Sequence, residues 1–565
     1  MPSFRTPFIG PAYIERAGNF ASARLINLYP EFAEGPGAKG VGVFYATPGL
    51  GLDFTVGSGP IRGMAILNGV LYVVSGNAVY QISSTIPAAQ IGTLPTSTGP
   101  VSIVSGTNQL VIFDGMAGTL APAGYPLTGG TLGSGGSQNA VGDVITLAAA
   151  GGTQVATATV TVTSVNAGVI TGFTISSSGS FTSLPTGFTQ ASTTGSGSGF
   201  TLTSPTFGTA AQLFTLNLPF PNPVMGAYQD GFGLVMFSNS NKIAASNALD
   251  LSVWYGLSFG VADGNAENAV ALANIHREVW VFKSTVIEVW DDTGAYPFPF
   301  ARNEGVYPEV GCAAPFSVAQ AGEFLIFLAQ TKMGDRRVCM MEGYKPVFIS
   351  TAAIEQLIAP YATVSDAIGY AYEQQGHIFY VLTFPSGNET WVYDLTESSR
   401  VGMPIWHKRA AFANGQFSRH WGNCYAFFNE THLVGDYQSG NVYYFSLGAA
   451  TDNGQQRKWL RSWRALPKPT DRPLTFHSLR IDMETGIGVT AGTNPQAVLR
   501  WSDDGGHTWS SERYAAAGTP GQTAQRVMFR RLGSTRRNSG LDRTFELSST
   551  DVFQVGLIGA ELDAS

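Results

Sequence analysis

The chain has 565 residues and a net charge of −7 at pH 7, and its 13% charged and 44% hydrophobic residues exclude a highly charged disordered chain. Its 68 glycines and 30 prolines are typical of many short strands joined by tight turns, and its length predicts more than one packing unit. We expect no secretory signal and no membrane span, because the first residues contain no apolar segment and no run of about 18 apolar residues occurs.

Residues 1–55 combine turn-forming and aromatic residues without a sustained hydrophobic period, as in Phe8–Pro11 and Tyr29–Glu31. Two interpretations of this segment remain open. It is either an extended arm that packs on neighbouring subunits or a first strand that closes the domain that follows.

A regular strand pattern begins in residues 56–125. Asn68-Gly69 separates the apolar runs Arg62–Leu67 and Val70–Val74, and an Asn-Gly pair in this position is a strong hairpin signal. A third run, Ala78–Ile82, follows within a few residues. The segment therefore predicts an antiparallel meander of three strands.

The same pattern recurs every 45 to 60 residues, roughly the spacing expected of propeller blades. Further hairpins are predicted within residues 101–113, 278–290, 324–341, 377–394 and 425–445. We predict an all-β fold with a β-propeller of about six blades, with a margin of one, formed by residues 56–125 and 208–450. A pair of packed β-sandwiches is the alternative, although it would not explain the even spacing. Helical signal is sparse, with one short helix possible within residues 351–361.

Residues 126–207 interrupt the propeller pattern with a stretch rich in Gly, Ser and Thr. Asp143 is the only charged residue between Gly115 and Gln229. Ala156–Val165 nevertheless alternates Thr with small or β-branched apolar residues, which favours strands. We predict a small β domain inserted into a propeller loop, and low-complexity disorder is the alternative.

Residues 451–565 are predicted to form a C-terminal β region that closes the propeller or builds a platform. The stretch from Arg457 to Arg543 holds 15 basic and 7 acidic residues, although the whole chain is acidic. The candidate basic surface consists of Arg457, Lys458, Arg461, Arg464, Arg526, Arg530, Arg531, Arg536 and Arg537. It suits a negative partner, and we favour carboxylates of a neighbouring subunit over DNA phosphates, because no nucleic-acid fold signature occurs.

Residues 502–509 match the Asp-box pattern at every defined position. The matching residues are Ser502, Asp504, Gly506, Thr508 and Trp509. We expect Asp504 to accept backbone N–H bonds within a hairpin turn, Gly506 to permit the turn, and Trp509 to pack beneath it. Asp-boxes are familiar from sialidase propellers, where they are structural. The arginine triad, nucleophilic tyrosine and acid/base carboxylate of such an enzyme cannot be assigned in this sequence.

No other motif predicts a catalytic, cofactor or metal site. Cys312, Cys339 and Cys424 are far apart, odd in number and without CxxC spacing, so we interpret them as small buried apolar residues. The seven histidines form no HExxH or HxH pair, and no GxSxG elbow, P-loop or dinucleotide fingerprint occurs. We therefore predict a protein that is not an enzyme and needs no cofactor.

Several runs, in order along the chain, resemble the packaged-DNA stabilisation family of short-tailed bacteriophages, also called tail accessory or nozzle proteins. These runs are Pro7–Tyr13, Ala23–Glu31, Tyr45–Leu50, Gly59–Met64, Leu71–Gly76, Leu110–Gly115, Arg530–Gly533 and Phe545–Leu547. The resemblance covers most of the chain outside residues 126–207.

The resemblance implies a structural component of the virion tail, synthesised in the host cytoplasm. It implies a ring, with a hexamer as the expected stoichiometry, beneath the portal or adaptor ring proteins. Such a ring would extend the DNA channel, retain packaged double-stranded DNA and dock a tail needle, tailspikes or fibres. The alternative is a propeller tail protein that binds or cleaves glycan in the manner of a depolymerase.

Overall fold

The computed structural model describes residues 4–15, 22–83, 88–122, 125–208, 213–466, 474–535 and 543–565. Within this part of the chain, helix is confined to Ala352–Ile358, Leu395–Val401 and the 3-10 turn Pro315–Ser317. The first helix lies inside the segment that the sequence predicts to be helical, and Thr351 caps it by accepting a hydrogen bond from the Ile354 amide. All other regular structure described is β-strand.

Seven sheets, antiparallel except for one short parallel pair in the last, follow one another along the chain and form a ring, and we number them blade 1 to blade 7. The first strand of blade 7 lies against the first strand of blade 1, so the ring is closed. A closed ring leaves few exposed sheet edges, which suits a chain built almost entirely of strands. The predicted all-β propeller is therefore confirmed.

Blades 1 to 3 lie in the N-terminal half of the chain. The strands of blade 1 are Ile61–Leu67, Val70–Ser75, Ala78–Ile82 and Ala89–Thr93. The strands of blade 2 are Ser102–Ser105, Gln109–Phe113, Gly118–Pro122 and Phe214–Thr215. The strands of blade 3 are Pro223–Gln229, Phe232–Phe237, Lys242–Asn247 and Asp250–Val261. In blade 1, Asn68 and Gly69 both have positive φ, as the predicted tight hairpin turn requires.

Blades 4 to 6 continue the ring. The strands of blade 4 are Ala269–Ile275, Glu278–Lys283, Ile287–Asp292 and Phe300–Arg302. The strands of blade 5 are Gly311–Cys312, Ala319–Ala321, Phe324–Gln330, Arg336–Glu342 and Lys345–Phe348. The strands of blade 6 are Ile368–Gln374, His377–Phe384, Glu389–Asp394 and Trp406–Ala413, and Gln416–Arg419 pairs with the last of them.

Blade 7 is completed by a strand from the beginning of the chain. Its own strands are Gly422–Phe428, Thr431–Asp436 and Asn441–Ser446, followed outward by Gly49–Thr55, Thr451–Asp452 and Gln455–Gln456. Pairing of Gly49–Thr55 with Asn441–Ser446 joins segments almost 400 residues apart in the sequence. The N-terminal segment therefore closes the propeller, which is the second of the two interpretations of residues 1–55.

The structure has seven blades, which is the upper limit of the predicted number of six with a margin of one. The blade that the hairpin count missed is blade 3, at residues 223–261. Its first turn, Asp230-Gly231, has positive φ at both residues, and this Asp-Gly pair is the hairpin signal that marks the blade in the sequence.

Two further sheets pack face to face as a sandwich that combines N- and C-terminal strands, and we name them sheet A and sheet B. Sheet A contains Val527–Arg530, Phe476–Met483, Gly556–Ala564, Gly42–Ala46, Leu28–Phe32 and Phe4–Arg5. Sheet B contains Leu25–Ile26, Trp459–Arg464, Thr544–Ser549, Gln496–Ser502 and Arg513–Ala516. A short hairpin, Tyr13–Ile14 with Ser22–Ala23, accompanies them. Most strands of residues 451–565 thus lie in the sandwich, whereas Thr451–Asp452 and Gln455–Gln456 extend blade 7.

The N-terminal strands pack on the chain's own C-terminal strands, and contact of this segment with neighbouring subunits stays a prediction. Phe8 is buried against Phe44 and Trp463, with ring centroids 5.5 and 4.7 Å away. The apolar side chains that looked aperiodic in the sequence fill the core between sheets A and B. Strand Leu25–Ile26 also pairs with Trp406–Ala413, which joins the sandwich to blade 6.

The inserted domain predicted near residues 126–207 is a separate six-stranded sheet. Its strands are Leu127–Ser137, Val144–Ala150, Thr153–Asn166, Val169–Ser183, Gly187–Thr193 and Ser198–Phe207. The sheet curls until its edges meet at a bridge between Tyr125 and Phe181, and it encloses its own apolar core. It leaves and rejoins the propeller within blade 2, where the Gly208 amide donates to the Pro126 carbonyl at 2.9 Å.

Candidate functional site

The Asp-box residues form one turn after strand Gln496–Ser502 of sheet B. The Asp504 carboxylate accepts bonds from the Thr508 amide at 2.8 Å and from the Thr508 hydroxyl at 2.5 Å. Ser502 donates to the same carboxylate at 2.7 Å and accepts from the Gly506 amide at 2.8 Å. These hydrogen bonds, those from Thr508 above all, hold the pKa of Asp504 far below its usual range.

Trp509 completes the turn but is only partly buried. Its indole N–H donates to the Gly506 carbonyl at 3.1 Å, and Gly506 has a φ of 96° that favours glycine. The Arg500 guanidinium lies 4.6 Å from the Trp509 ring centroid. The turn is therefore tied to sheet B by stacking rather than by deep burial of the indole.

Arg543 is the residue that fastens this turn to the sandwich core, and the sequence analysis did not single it out. It is only 1% exposed, and its guanidinium donates two bonds of 2.7 Å to the two oxygens of Asp503. It also lies 4.3 Å from the Phe476 ring and 5.1 Å from the Trp501 ring. Asp503 occupies an undefined position of the Asp-box, so the motif alone gave no signal for this pair.

Two of the nine predicted basic-surface residues are buried, and their assignment to a surface is corrected. Arg457 donates to the carbonyl and the hydroxyl of Thr47, and Arg461 donates to the carbonyls of Phe8 and Pro11 at 2.9 and 3.2 Å. Burial lowers the pKa of Arg461 to about 9. These arginines hold the N-terminal segment on the sandwich, because its backbone carbonyls supply acceptors for the buried N–H groups.

Lys458 and Arg464 lie at intermediate depth on sheet B. Lys458 is half-buried with its ammonium 5.5 Å from the Phe412 ring, and burial lowers its pKa. Arg464 ends strand Trp459–Arg464 and is partly buried.

The exposed part of the predicted basic surface lies at one edge of sheet A. Arg526, Arg530 and Arg531 flank or end the edge strand Val527–Arg530, and all three are exposed. The ion pairs found among the described residues include none of these three. We name them the basic edge. Arg536 and Arg537 of the predicted surface lie outside the described residues.

A groove with a volume of ≈ 530 Å³ lies between the sandwich and blade 7. Its walls include aromatic and charged side chains: Tyr29, Glu31, Tyr45, Arg457, Trp459 and Phe553. The three cysteines lie elsewhere in the propeller, and burial raises the pKa of each thiol to about 12. Cys312 and Cys339 are buried, as predicted, whereas Cys424 is only partly buried.

Neither a metal cluster nor a membrane-spanning helix is found in the described part of the chain. No group of three or more His, Cys, Asp or Glu side chains there could hold a metal ion. No helix there is long and apolar enough to cross a membrane.

Comparison with protein families gives two matches that divide the chain at the propeller–sandwich boundary. A family model described as "Bacteriophage P22 Gp10, beta-propeller" matches residues 154–450. A second, described as "Bacteriophage P22 Gp10, beta-sandwich", matches residues 458–563. No curated protein matches the chain.

Solved structures similar to this chain have low sequence identity to it. The WD40 domain of Neurospora crassa Pan2 is 9% identical, covers 68% of this chain and 88% of its own, and has a TM-score of 0.33. The N-terminal domain of Nup159 is 8% identical with a TM-score of 0.35, and the match covers 75% of this chain and 99% of that chain. The designed protein Ika8 is 10% identical with a TM-score of 0.31, and the match covers 71% and 99%, respectively.

Proposed function

The chain belongs to the bacteriophage P22 Gp10 family and is a structural protein of a phage tail, and from this premise we propose that six copies form a ring on the tail axis. The observation that carries the proposal is that family models for both the propeller and the sandwich match, the first over more than half of the chain. The ring sits beneath the portal or its adaptor ring and extends the DNA channel. It retains the packaged genome and offers docking surfaces for a tail needle, tailspikes or fibres.

The architecture supports a role in the assembly of the tail rather than in catalysis. Ring contacts are heterologous, so each subunit needs two different surfaces that fit one another. The sandwich offers one strongly charged candidate, the basic edge at Arg526, Arg530 and Arg531. We propose that this edge meets carboxylates of a neighbouring subunit, because the chain as a whole carries a net charge of −7.

The test is to examine particles from a phage in which this gene is disrupted, with DNA content measured alongside electron microscopy. We expect capsids that fill but lose their DNA and lack the distal tail. Expression of the intact gene in the same cells should restore both features, and this serves as the control. Full, DNA-retaining particles with an intact tail axis would refute the proposal and favour a peripheral protein that binds or cleaves glycan.

A further inference from the structure

Arg409 is buried between blade 6 and blade 7 in an unusual environment. It is 1% exposed and lies in strand Trp406–Ala413 of blade 6. Its guanidinium is 5.2 Å from the ring centroids of Tyr372 and Phe379 and 5.8 Å from that of Phe445. Three aromatic rings from two blades therefore surround one buried positive charge.

The guanidinium lacks ordinary hydrogen-bond and ion-pair partners. None of its three nitrogens has an acceptor of normal geometry, and no carboxylate oxygen lies within 4.0 Å of them, among the residues that the structure describes. The Tyr372 hydroxyl lies beside it, close enough for the Arg409 charge to offset part of the rise that burial causes in the pKa of Tyr372. The contact with Arg409 acts on the Tyr372 hydroxyl as a weak hydrogen bond but lies outside ordinary hydrogen-bond geometry, and the hydroxyl has no other partner among the described residues.

Other unpaired polar groups lie on the same face of blade 6. Among the described residues, His407, two residues before Arg409 in the same strand, has no partner at either ring nitrogen and is fully buried. The hydroxyls of Tyr370 and Tyr372, in the first strand of the blade, have no partner of ordinary geometry there either. Both tyrosine rings contact Tyr425 of blade 7, and Arg409 lies near Phe445 of the same blade, so these groups face the space between the two blades.

No described carboxylate oxygen lies within 4.0 Å of Arg409: Asp394 and Glu31 face His377, and Asp452 lies nearer Arg457, with one of its oxygens also without a hydrogen-bond partner among the described residues. Asp394 accepts from the His377 ring at 2.8 Å and from the Glu397 amide at 3.0 Å, and Glu31 lies 3.8 Å from the other nitrogen of His377. Asp452 lies near Arg457 and moderates the fall that burial causes in the pKa of that arginine. Burial, and then the charge of Arg409, lower the pKa of both His407 and His420. Positive potential around Arg409 is therefore uncompensated.

Burial of a charge without a counterion costs roughly several kcal/mol of folding free energy. Cation–π attraction to the surrounding aromatic rings offsets only part of this cost. Water would satisfy N–H groups but would not neutralise the charge. We propose that the space between blades 6 and 7 binds one small inorganic anion of the chloride type, with Arg409 as its principal ligand and the Tyr370 and Tyr372 hydroxyls as further donors. The site is independent of the tail function proposed above.

The anion would stabilise the closure of the propeller. Tyr370, Tyr372 and Phe379 of blade 6 share one apolar cluster with Phe445 of blade 7 and Leu50 of the closing strand. A ligand that binds only when these elements are assembled stabilises the assembled state by mass action. Chloride should therefore raise the thermal stability of the isolated protein.

The direct test is diffraction from crystals of the unmodified protein grown or soaked in sodium bromide, with data collected at the bromine absorption edge. We expect an anomalous peak in contact with the Arg409 guanidinium. A peak only at surface positions, or ordered water alone beside Arg409, would overturn the proposal.

A second test measures thermal unfolding in sodium chloride and in sodium gluconate at equal ionic strength. For the native protein we expect Tm to rise by about 1–3 °C per tenfold increase in chloride, and not in gluconate. Arg409→Met should abolish the chloride dependence, whereas the exposed control Arg526→Met should retain it. Equal chloride dependence in native protein and Arg409→Met would overturn the proposal, and if that variant does not fold the bromide crystals decide.

Discussion

At the residue scale, burial decides what each arginine of this chain does. Arg457 and Arg461 hold the N-terminal segment, Arg543 anchors the Asp-box turn, and Arg530 and Arg531 stay exposed at the basic edge. The sequence does not distinguish the buried arginines from the exposed ones, because their acceptors lie in other segments: Arg457 and Arg461 bind the N-terminal segment, and Arg543 binds the Asp-box turn. The sequence therefore predicted a positive region but not which of its members reach the surface.

The pair of Arg543 and Asp503 allows a test of whether buried arginines stabilise the fold more than exposed ones do. Arg543→Met should lower the free energy of unfolding of the sandwich by about 2 kcal/mol, since it leaves Asp503 without its partner while that carboxylate keeps partial contact with water. Arg526→Met, the matched change at an exposed site, should cost less than about 0.5 kcal/mol. Denaturant unfolding followed by tryptophan fluorescence would measure both, and equal effects would refute the anchoring role.

Reversal of charge at the basic edge tests its role in assembly. Arg530→Glu combined with Arg531→Glu should leave the folded subunit intact, because both side chains are exposed, but should reduce incorporation into particles at least about tenfold. Conversion of both residues to lysine keeps the charge and is the control. Western blotting of purified particles gives the readout. Normal incorporation of the glutamate variant would remove this edge from the candidate interfaces.

At the element scale, local signals predicted strands well and long-range pairing poorly. The Asn68-Gly69 hairpin and the even hairpin spacing were readable, because each hairpin forms between neighbours in the sequence. The pairing of Gly49–Thr55 with blade 7 was not, because nothing in a seven-residue segment specifies a partner so distant along the chain. For the same reason the joining of N- and C-terminal strands into one sandwich could not be predicted from periodicity.

Gly49 tests whether the closing strand is seated as tightly as the structure indicates. A methyl group at this position would lie 2.3 and 2.6 Å from the carbonyl oxygens of Ala449 and Thr451. These oxygens belong to the backbone, which cannot move easily to relieve the steric clash. Gly49→Ala should therefore cost about 1–3 kcal/mol and lower Tm. Gly559→Ala, where a methyl group meets nothing within 4 Å, is the matched control in another strand. Differential scanning calorimetry showing no difference between the two variants would contradict tight closure.

At the scale of the whole molecule, three units share one chain: a seven-bladed propeller, a sandwich and an inserted domain with its own core. The sequence allowed the fold class and the insertion to be predicted, because composition and strand period change sharply at its ends. It did not disclose the anchoring pair Arg543–Asp503 or the surroundings of Arg409, since both depend on contacts between separate elements. Partners and stoichiometry stay predictions, as they concern surfaces that meet other chains.

Excision of the inserted domain tests its independence. Replacement of residues 127–207 by a Gly-Ser linker should leave the propeller and sandwich folded, because the flanking Pro126 and Gly208 are hydrogen-bonded neighbours. We expect Tm of the shortened chain to stay within about 3 °C of the native value, and residues 125–208 alone to unfold cooperatively. Calorimetry measures both chains. Collapse of the remaining propeller would show that the insertion is part of its core.

The central claim, a structural ring on the tail axis, is tested most directly by cryo-electron microscopy of the intact phage tail. We expect copies of this propeller and sandwich arranged as a ring around the DNA channel beneath the portal, with the basic edge at a contact between subunits. Density for the chain only at the periphery of the tail, away from the axis and in contact with neither the portal nor its adaptor, would contradict the proposed function.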